Sequence, residues 1–282
     1  KKAKMTPLSL EEKEGLSLIN GTQIMLAVGG SALSEAWKLF HYANRIAALS
    51  FEALEGRVDA LYLPLHKARG QKGQTSVAQD LRKELKGSGI FRRPPYHKRL
   101  QDPYSLRCIP QIHGPSKDAL DHTKSIIERE LNAATDNPLV FEKENKIISG
   151  GNFHGQALAM AFDISAIALS ELSSVSERRL ELMLNPQFSG LNAFLAPEAG
   201  FQSGYMASQY LSASLVNENK LLANPACTDS ITGNVGIEDH VSMGMTSANK
   251  LKQIVKNLRV NLSIELLAAA QVFDLRKQKV EG

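Results

Sequence analysis

Five side chains in this sequence could act together on a small charged molecule: an amide, a phenol, a guanidinium, an aromatic ring and a carboxylate. Each belongs to a short polar segment next to a long helical pattern, so several helix ends could bring them to one place. A buried site for a zwitterion needs such a combination, because both charges of the ligand must find partners. The five residues are Asn20, Tyr104, Arg107, Phe153 and Glu238.

Tyr104 and Arg107 stand one helical turn apart, directly after Pro103. If this segment forms a helical turn, both side chains point in the same direction. The planar guanidinium of Arg107 could then bind a carboxylate through two hydrogen bonds. Tyr104 could donate to, or accept from, a developing charge. The alternative is a surface arginine beside a packed tyrosine.

The segment Gly150-Gly151-Asn152-Phe153-His154-Gly155 stands directly before a helical pattern. Its glycines let the backbone approach a ligand closely, and the start of a helix favours anions. The alternative is a tight turn that caps the helix.

Three consecutive residues, Glu238-Asp239-His240, carry side chains that can bind metals. At the start of a helix they point in different directions, whereas metal-binding helices place their ligands four residues apart. We therefore predict no metal site, and we interpret Glu238 as a single acid that faces a pocket. The alternative is a charge that complements the helix dipole.

The composition favours a packed helical protein. Hydrophobic residues make up 43% of the chain and aromatic residues only 6%, which suits helices packed through small side chains. The net charge is +4, without the basic face and stacking aromatics of a nucleic-acid binder. No apolar run approaches the about 20 residues of a membrane span. Cys108 and Cys227 are far apart, as expected for reduced thiols in a cytoplasmic protein.

Apolar residues at steps of three and four predict five long helices. They begin near residues 31, 116, 154, 203 and 241, and the last continues for about eight turns. A small hairpin is predicted between residues 139 and 148. The segment 66–105, which contains Arg93-Pro94-Pro95, is predicted to be irregular and mobile apart from a short helix near 76–86. Apolar residues on more than one helix face predict burial against neighbouring chains.

Taken in order, the motifs of this chain resemble those of the aromatic amino acid lyases, and the last motif is similar to the branch that acts on histidine. The resemblance covers about residues 8 to 270. The motifs are Gly15-Leu16-Ser17-Leu18-Ile19-Asn20-Gly21-Thr22-Gln23, Gln101-Asp102-Pro103-Tyr104-Ser105-Leu106-Arg107-Cys108, Asp136-Asn137-Pro138-Leu139, Ser149-Gly150-Gly151-Asn152-Phe153-His154-Gly155 and Glu238-Asp239-His240-Val241-Ser242-Met243-Gly244.

The resemblance implies an all-α fold: a long helix bundle of the fumarase/aspartase superfamily, with residues 1–282 forming a single helical core domain. It implies a homotetramer in which each site draws on three subunits. It also implies the elimination of ammonia from L-histidine to give trans-urocanate. The family uses an electrophile for this reaction, 4-methylidene-imidazole-5-one (MIO), which forms from an Ala-Ser-Gly tripeptide of its own chain.

The resemblance also implies roles for seven residues. Asn20 would bond to MIO, Tyr104 would lie beside MIO and assist the elimination, and Arg107 would hold the substrate carboxylate. Glu238 would contact the imidazole ring or the leaving amine, because a carboxylate suits a cationic group. The residues that would line the pocket are Gln101, Phe153 and Met206.

This sequence departs from the family in two places. It contains no Ala-Ser-Gly, and only 19 residues precede Asn20, so we expect the electrophile-bearing part to lie outside it and these 282 residues alone to be inactive. Asn224 and Cys227 stand where the histidine branch usually has His and Ser. Two alternatives stay open: a tyrosine or phenylalanine ammonia-lyase or aminomutase of the same family, and a non-catalytic helical scaffold.

Overall fold

The computed structural model describes residues 6–91 and 100–281, with side chains as far as Lys277. The chain is helical, as predicted. The helices are α1 (Glu14–Ile19), α2 (Gln23–Ala53), α3 (Leu63–Arg69), α4 (Lys72–Glu84), α5 (Tyr104–Arg107), α6 (Ile109–Glu130), α7 (Gln156–Leu184), α8 (Pro186–Ser189), α9 (Met206–Leu222) and α10 (Gly244–Glu281). Short 3-10 turns are formed by Val58–Leu61, Gly89–Phe91, Ala193–Leu195 and Asn234–Gly236.

The predicted hairpin is present. Strand β1 (Leu139–Phe141) pairs antiparallel with strand β2 (Lys146–Ile148), and Leu139 lies opposite Ile148. The other predicted helices are present too, but two of them begin earlier than the sequence suggested. Helix α2 includes Gly29. This position requires a glycine, because a Cβ there would overlap the ring of Phe162. Helix α6 includes Pro115.

Helices α2, α7 and α10 form the centre of the bundle, and α6 and α9 pack beside them. The 38 residues of α10 make a rod about 57 Å long. Phe40, Phe51 and Phe162 are fully buried between these helices, surrounded by alanines and leucines. Small residues let the helix axes approach, so a few aromatic rings fill the remaining space.

Helices α6 and α9 run opposite to the three central helices. Thr22, directly before α2, donates a 2.7 Å hydrogen bond to Glu130 at the end of α6. Lys250, near the start of α10, bonds to Asp163 near the start of α7 and to the carbonyl of Asn224, just after α9. We call this side of the molecule the Asn20 end. It holds the starts of α2, α7 and α10 and the ends of α6 and α9.

The opposite side, which we call the Arg107 end, holds α5 and the starts of α6 and α9. Arg276 of α10 bonds there to Glu55, which follows α2, and to the carbonyl of Ser189, which follows α7. Tyr205, directly before α9, donates to the carbonyl of Leu267 far along α10. The two ends are therefore separated by the full length of the bundle.

A fully buried ion pair joins α7 to α10. Arg179 donates from Nε and Nη2 to the two carboxylate oxygens of Glu265, at 2.5 and 3.0 Å, and neither side chain is exposed. The hydroxyls of Ser50 and Ser176 donate to the same oxygens at 2.7 and 2.6 Å. Every oxygen of the carboxylate is thus bonded, as a buried charge requires.

The network extends to α6 through His113. Its Nδ1–H donates to Asn44 at 2.8 Å, and its Nε2 accepts from Arg179 at 3.4 Å. Burial lowers the pKa of His113 well below its usual value, and the charge of Arg179 lowers it further. The ring is therefore neutral, and its two partners fix which nitrogen carries the proton.

Part of the segment 66–105 that was predicted to be irregular is helical. Helix α3 continues to Arg69, Gly70 ends it with φ 79°, and α4 occupies Lys72–Glu84. The helix predicted near 76–86 exists but begins earlier, because α4 packs closely on α6: a Cβ on Gly73 would overlap the carbonyl of Gly114. Residues 92–99, which include Arg93-Pro94-Pro95, lie outside the described residues.

Within residues 6–91 and 100–281, two helical stretches are long and apolar enough to cross a bilayer by length and composition alone: Glu14–Ala53 and Gln156–Leu184. The buried share of the apolar window is 22% in the first and 67% in the second. The core helix of a globular protein passes the same test, so this finding is weak support for a membrane span.

The Arg179–Glu265 pair generates a stability prediction. Glu265→Gln leaves the buried guanidinium without its counter-charge, so we expect the free energy of unfolding to fall by about 3–5 kcal/mol. The matched control is Glu128→Gln, which removes an exposed ion pair with Lys124 and is expected to change stability by less than about 0.5 kcal/mol. Urea denaturation followed by circular dichroism measures both. Equal stabilities of the two variants would contradict the prediction.

Candidate functional site

Three helix starts meet at the Asn20 end around one side chain, Met25. A Cβ on Gly155 would lie 2.6 Å from its sulfur, and a Cβ on Gly244 would lie 2.7 Å from it. The glycines that precede α7 and open α10 therefore leave the space that this thioether fills. Because the starts of α2, α7 and α10 all present unpaired N–H groups and the positive ends of helix dipoles, this region favours negative charge.

Asn20 caps the end of α1, and its backbone N–H donates to Leu16 at 2.8 Å. Among the described residues, none is hydrogen-bonded to its side-chain amide, which is therefore available to a ligand. The following Gly21 packs against the backbone: a Cβ there would lie 2.6 Å from the carbonyl oxygen of Thr135. The close approach fixes the Asn20 turn against the segment between α6 and β1.

A charged contact holds α1 to that same segment. Lys13 forms an ion pair with Asp136, and the hydroxyl of Ser17 donates to Asp136 at 2.7 Å. The hydrogen bonds from Lys13 and Ser17 lower the pKa of Asp136 to about 2. Beside this contact lies a cavity of about 480 Å³, with Thr22, Gln23 and Glu130 in its wall.

Phe153 and Glu238 also lie at the Asn20 end. Asn152 donates to the carbonyl of Ala134 at 3.3 Å, which ties the Phe153 segment to the residues behind Asn20. Glu238 is exposed on a loop that is closed by two backbone hydrogen bonds. The N–H of Gly233 donates to the carbonyl of Glu238 at 2.8 Å, and the N–H of Glu238 donates to the carbonyl of Gly233 at 3.3 Å. The structure thus places three of the sequence-predicted residues at one end: Asn20, Phe153 and Glu238.

A buried carboxylate, Asp163 of α7, fixes the loop after α9. It accepts from the backbone N–H groups of Ala226 and Cys227, both at 2.7 Å, and from Lys250. Burial raises the pKa of the Cys227 thiol, and the adjacent Asp163 raises it further. Burial also acts to raise the pKa of Asp163, but its hydrogen bonds and Lys250 together lower it. Cys227 is therefore a protonated thiol at neutral pH.

The remaining predicted residues lie at the Arg107 end. The helical turn predicted for Tyr104 and Arg107 is confirmed, because α5 consists of Tyr104–Arg107. The Cζ atom of Arg107 lies 4.8 Å from the centroid of the Tyr104 ring, and Tyr104 is 70% exposed. Arg107 Nε donates to the carbonyl of Asp102 at 3.3 Å.

Gln101 and Met206 complete the Arg107 end. Gln101 lines a cavity of about 410 Å³ together with Arg107 and Cys108. Burial raises the pKa of the Cys108 thiol, although the charge of Arg107 acts in the opposite direction. Met206 opens α9 at this same end of the bundle.

One chain does not gather the predicted residues around one hollow. Thr22 contacts the end of α6, whereas Arg107 directly precedes its start. The 22 residues of α6 span about 33 Å, so Asn20 and Arg107 are separated by roughly that distance. The Asn20 end offers an amide and a carboxylate, and the Arg107 end offers a phenol and a guanidinium.

Sequence reasoning missed several residues that build the Asn20 end. Nothing in the sequence distinguished Met25, because a methionine in an apolar pattern is expected to lie in the core. The glycines at 155 and 244 were the available hint, since both stand at helix starts. Asp163 and Lys250 are 87 residues apart, and their pairing depends on the tertiary fold. In the described ranges, no group of three His, Cys, Asp or Glu side chains is arranged to hold a metal ion.

The sequence model of the family named "Aromatic amino acid lyase" matches residues 1–282. The chain belongs to this family. It is 50% identical over 279 residues to the histidine ammonia-lyase of Anaeromyxobacter sp. (strain K), covering 98% of this chain and 55% of that protein. It is 52% identical over 275 residues to the histidine ammonia-lyase of Geobacillus kaustophilus (strain HTA426), covering 97% and 54%.

A solved structure agrees with these relatives. The histidine ammonia-lyase of Trypanosoma cruzi superposes with a TM-score of 0.88 at 44% identity, over 96% of this chain and 51% of that one. The helical fumarase/aspartase-type fold implied by the resemblance is thereby confirmed. The chain spans about half the length of the curated relatives that it matches.

The contact of Gly21 with Thr135 generates a prediction. In Gly21→Ala, the new methyl group meets a backbone oxygen, so the Asn20 turn must move. We expect the free energy of unfolding to fall by about 1–3 kcal/mol. Gly151→Ala is the matched control, because a Cβ on Gly151 meets no atom within 4 Å. Thermal unfolding of both variants measures the difference, and a wild-type melting temperature for Gly21→Ala would contradict the prediction.

Proposed function

We propose that the protein of which this chain is part eliminates ammonia from L-histidine to give trans-urocanate, in the cytoplasm. The observation that supports this proposal is the separation of complementary groups: an amide and a carboxylate lie at one end, and a phenol and a guanidinium lie at the other. A zwitterion with a cationic ring needs both sets. The family and the histidine ammonia-lyases at 50% and 52% identity support histidine as the substrate.

A site that uses both ends requires more than one copy of the chain. An antiparallel neighbour would bring its Arg107 end to the Asn20 end of the first copy, and twofold symmetry would make two such sites at once. We therefore infer sites shared between subunits, and we propose the homotetramer that the family resemblance implies as the assembly that contains them. Because each copy carries the two sets of polar groups at opposite ends, the copies would have to assemble before a site can act on a substrate.

The surface of α7 supports the same assembly. An open cavity of about 870 Å³ lies between α6, α7 and α9 and is lined mainly by apolar and small side chains. Ile167 on this wall is half exposed, and Met160 on the same helix is exposed to a similar extent. Exposed apolar area of this kind is typical of an interface between subunits.

The Asn20 end fits the electrophile that the family uses. The available amide of Asn20 and the three helix starts can stabilise negative charge that develops on a polar group held there. MIO supplies an electrophilic carbon, which turns a poor leaving amine into a better one. Asn20 would hold MIO by a hydrogen bond.

The side chains of this chain would handle the substrate itself. Arg107 would bind the carboxylate with its two terminal nitrogens. Tyr104, whose ring lies under that guanidinium, would sit beside the reacting carbon and assist the elimination. Gln101, Phe153 and Met206 would line the pocket. Glu238 would accept a hydrogen bond from the imidazole, which orients the ring.

The two alternatives lead to different observations. A tyrosine or phenylalanine lyase or aminomutase gives less reason for a carboxylate at position 238, because the ring of its substrate cannot carry a positive charge. A non-catalytic scaffold would bind no substrate. Intact mass of the full-length gene product distinguishes the scaffold from the enzyme, since MIO formation removes water from the chain.

The role of Glu238 generates a prediction for the full-length gene product. Glu238→Gln removes the charge but keeps the size, so kcat/KM for histidine should fall about 10- to 100-fold, as expected for a lost charged hydrogen bond. Absorbance of urocanate measures the rate. Glu144→Gln, an exposed site in the hairpin turn, is the control. Unchanged histidine turnover in Glu238→Gln would count against histidine as the substrate.

The shared site generates a second prediction. Asn20→Ala and Arg107→Ala should each abolish most of the turnover, because each disables one end. When the two variants are co-expressed, some sites combine an intact Asn20 end with an intact Arg107 end, so part of the activity should return. Co-expression of Asn20→Ala with Glu238→Gln is the control, because both changes lie at the same end. Equal activity of the two mixtures would contradict the shared site.

A further inference from the structure

Two histidines join the loops that carry Phe153 and Glu238. We call residues 149–155 the Phe153 segment and residues 229–243 the Glu238 loop. His154 Nε2–H donates to the carbonyl of His240 at 3.0 Å. The two imidazole rings stack with centroids 5.5 Å apart and planes inclined by 24°. A hydrogen bond and a ring-stacking contact therefore join the same two residues.

Few hydrogen bonds join the Glu238 loop to the Phe153 segment, although Ser242 also packs close to Gly155. Its hydrogen bonds from Ser230 to Val241 and from Gly233 to Glu238 lie within the loop itself. Among the described residues, every hydrogen bond between the loop and the Phe153 segment involves His154 and His240. The rest of the loop projects into solvent, and Val235 at its tip is fully exposed.

The geometry fixes the proton of His154. A carbonyl oxygen can only accept, so His154 Nε2 carries hydrogen. His240 Nδ1 lies 3.4 Å from the same Nε2, so it faces a donor and suits the acceptor role. The contact depends on a donor at the position of Nε2, which a glutamine side chain can also supply and a phenylalanine cannot.

We infer that His154 and His240 form a positioning pair, which sets the place of Glu238 relative to Phe153 and thereby the fit of the substrate's ring between them. The inference rests on the proposed histidine-lyase activity. Neither histidine needs to touch the substrate. Each stands within two residues of a proposed pocket residue, so a shift of the pair moves the carboxylate across the pocket.

Hydrogen–deuterium exchange of this 282-residue chain tests the contact itself. His154→Phe keeps an aromatic ring but removes the donor, so amides of the Glu238 loop should exchange several times faster. His154→Gln keeps a donor and should exchange like the wild type. His122→Phe, at an exposed position on α6, is the control for a histidine-to-phenylalanine change. Unaltered exchange of the loop in His154→Phe would overturn the inference.

Kinetics of the full-length gene product test the consequence for the substrate. In His154→Phe, KM for histidine should rise about three- to tenfold, the value of one net hydrogen bond, while kcat stays within about twofold because ring binding is uniform. Partial unfolding would instead lower kcat at constant KM. In a Glu238→Gln background, His154→Phe should have no further effect on KM.

Either of two kinetic results would overturn the inference: a loss of kcat alone, or an equal rise of KM in the Glu238→Gln background. A KM for His154→Gln close to that of the wild type supports it. A wild-type protein that does not turn over histidine would refute the proposed function instead. The exchange experiment distinguishes that case, because it reads the loop contact without any substrate.

Discussion

The buried pair of Arg179 and Glu265 is the interaction on which the rest of the structure depends. Two charges lie in a core without access to water, and they are tolerated because Ser50, Ser176 and His113 complete their hydrogen bonds. Apolar helices can slide along each other at small energetic loss, whereas this network allows one register only. It fixes α2, α6, α7 and α10 relative to each other, and with them the distance between the two ends of the bundle.

That fixed register determines what each end can offer. At the Asn20 end, Gly155 and Gly244 bring three helix starts around Met25, which concentrates positive backbone charge where the available amide of Asn20 lies. At the Arg107 end, a single helical turn presents a guanidinium over a phenol ring. About 33 Å of helix separates the two sets, which supports the proposed assembly of this chain with another copy. The apolar wall along α7 is consistent with this arrangement.

Much of the fold was predictable, because helical periodicity is a local property. The long helices, the hairpin at 139–148 and the turn at Tyr104–Arg107 all followed from spacing of residue types. Residues 66–75, which include Gly70 and Gly73, were predicted to be irregular because the segment is basic and rich in glycine and proline. One ends α3 and the other allows α4 to lie against α6. A sequence alone does not distinguish a glycine that allows close packing from a glycine that forms a turn.

The sequence by itself determined the residue types, their order and the family, because motifs are contiguous and survive without knowledge of the fold. Only the tertiary structure decided at which end each motif lies, because helix direction is set by packing between residues far apart in the chain. It alone paired Asp163 with Lys250 and His154 with His240. It also divided the predicted site between two ends of the bundle, because the length of α6 separates Asn20 from Arg107 within one chain.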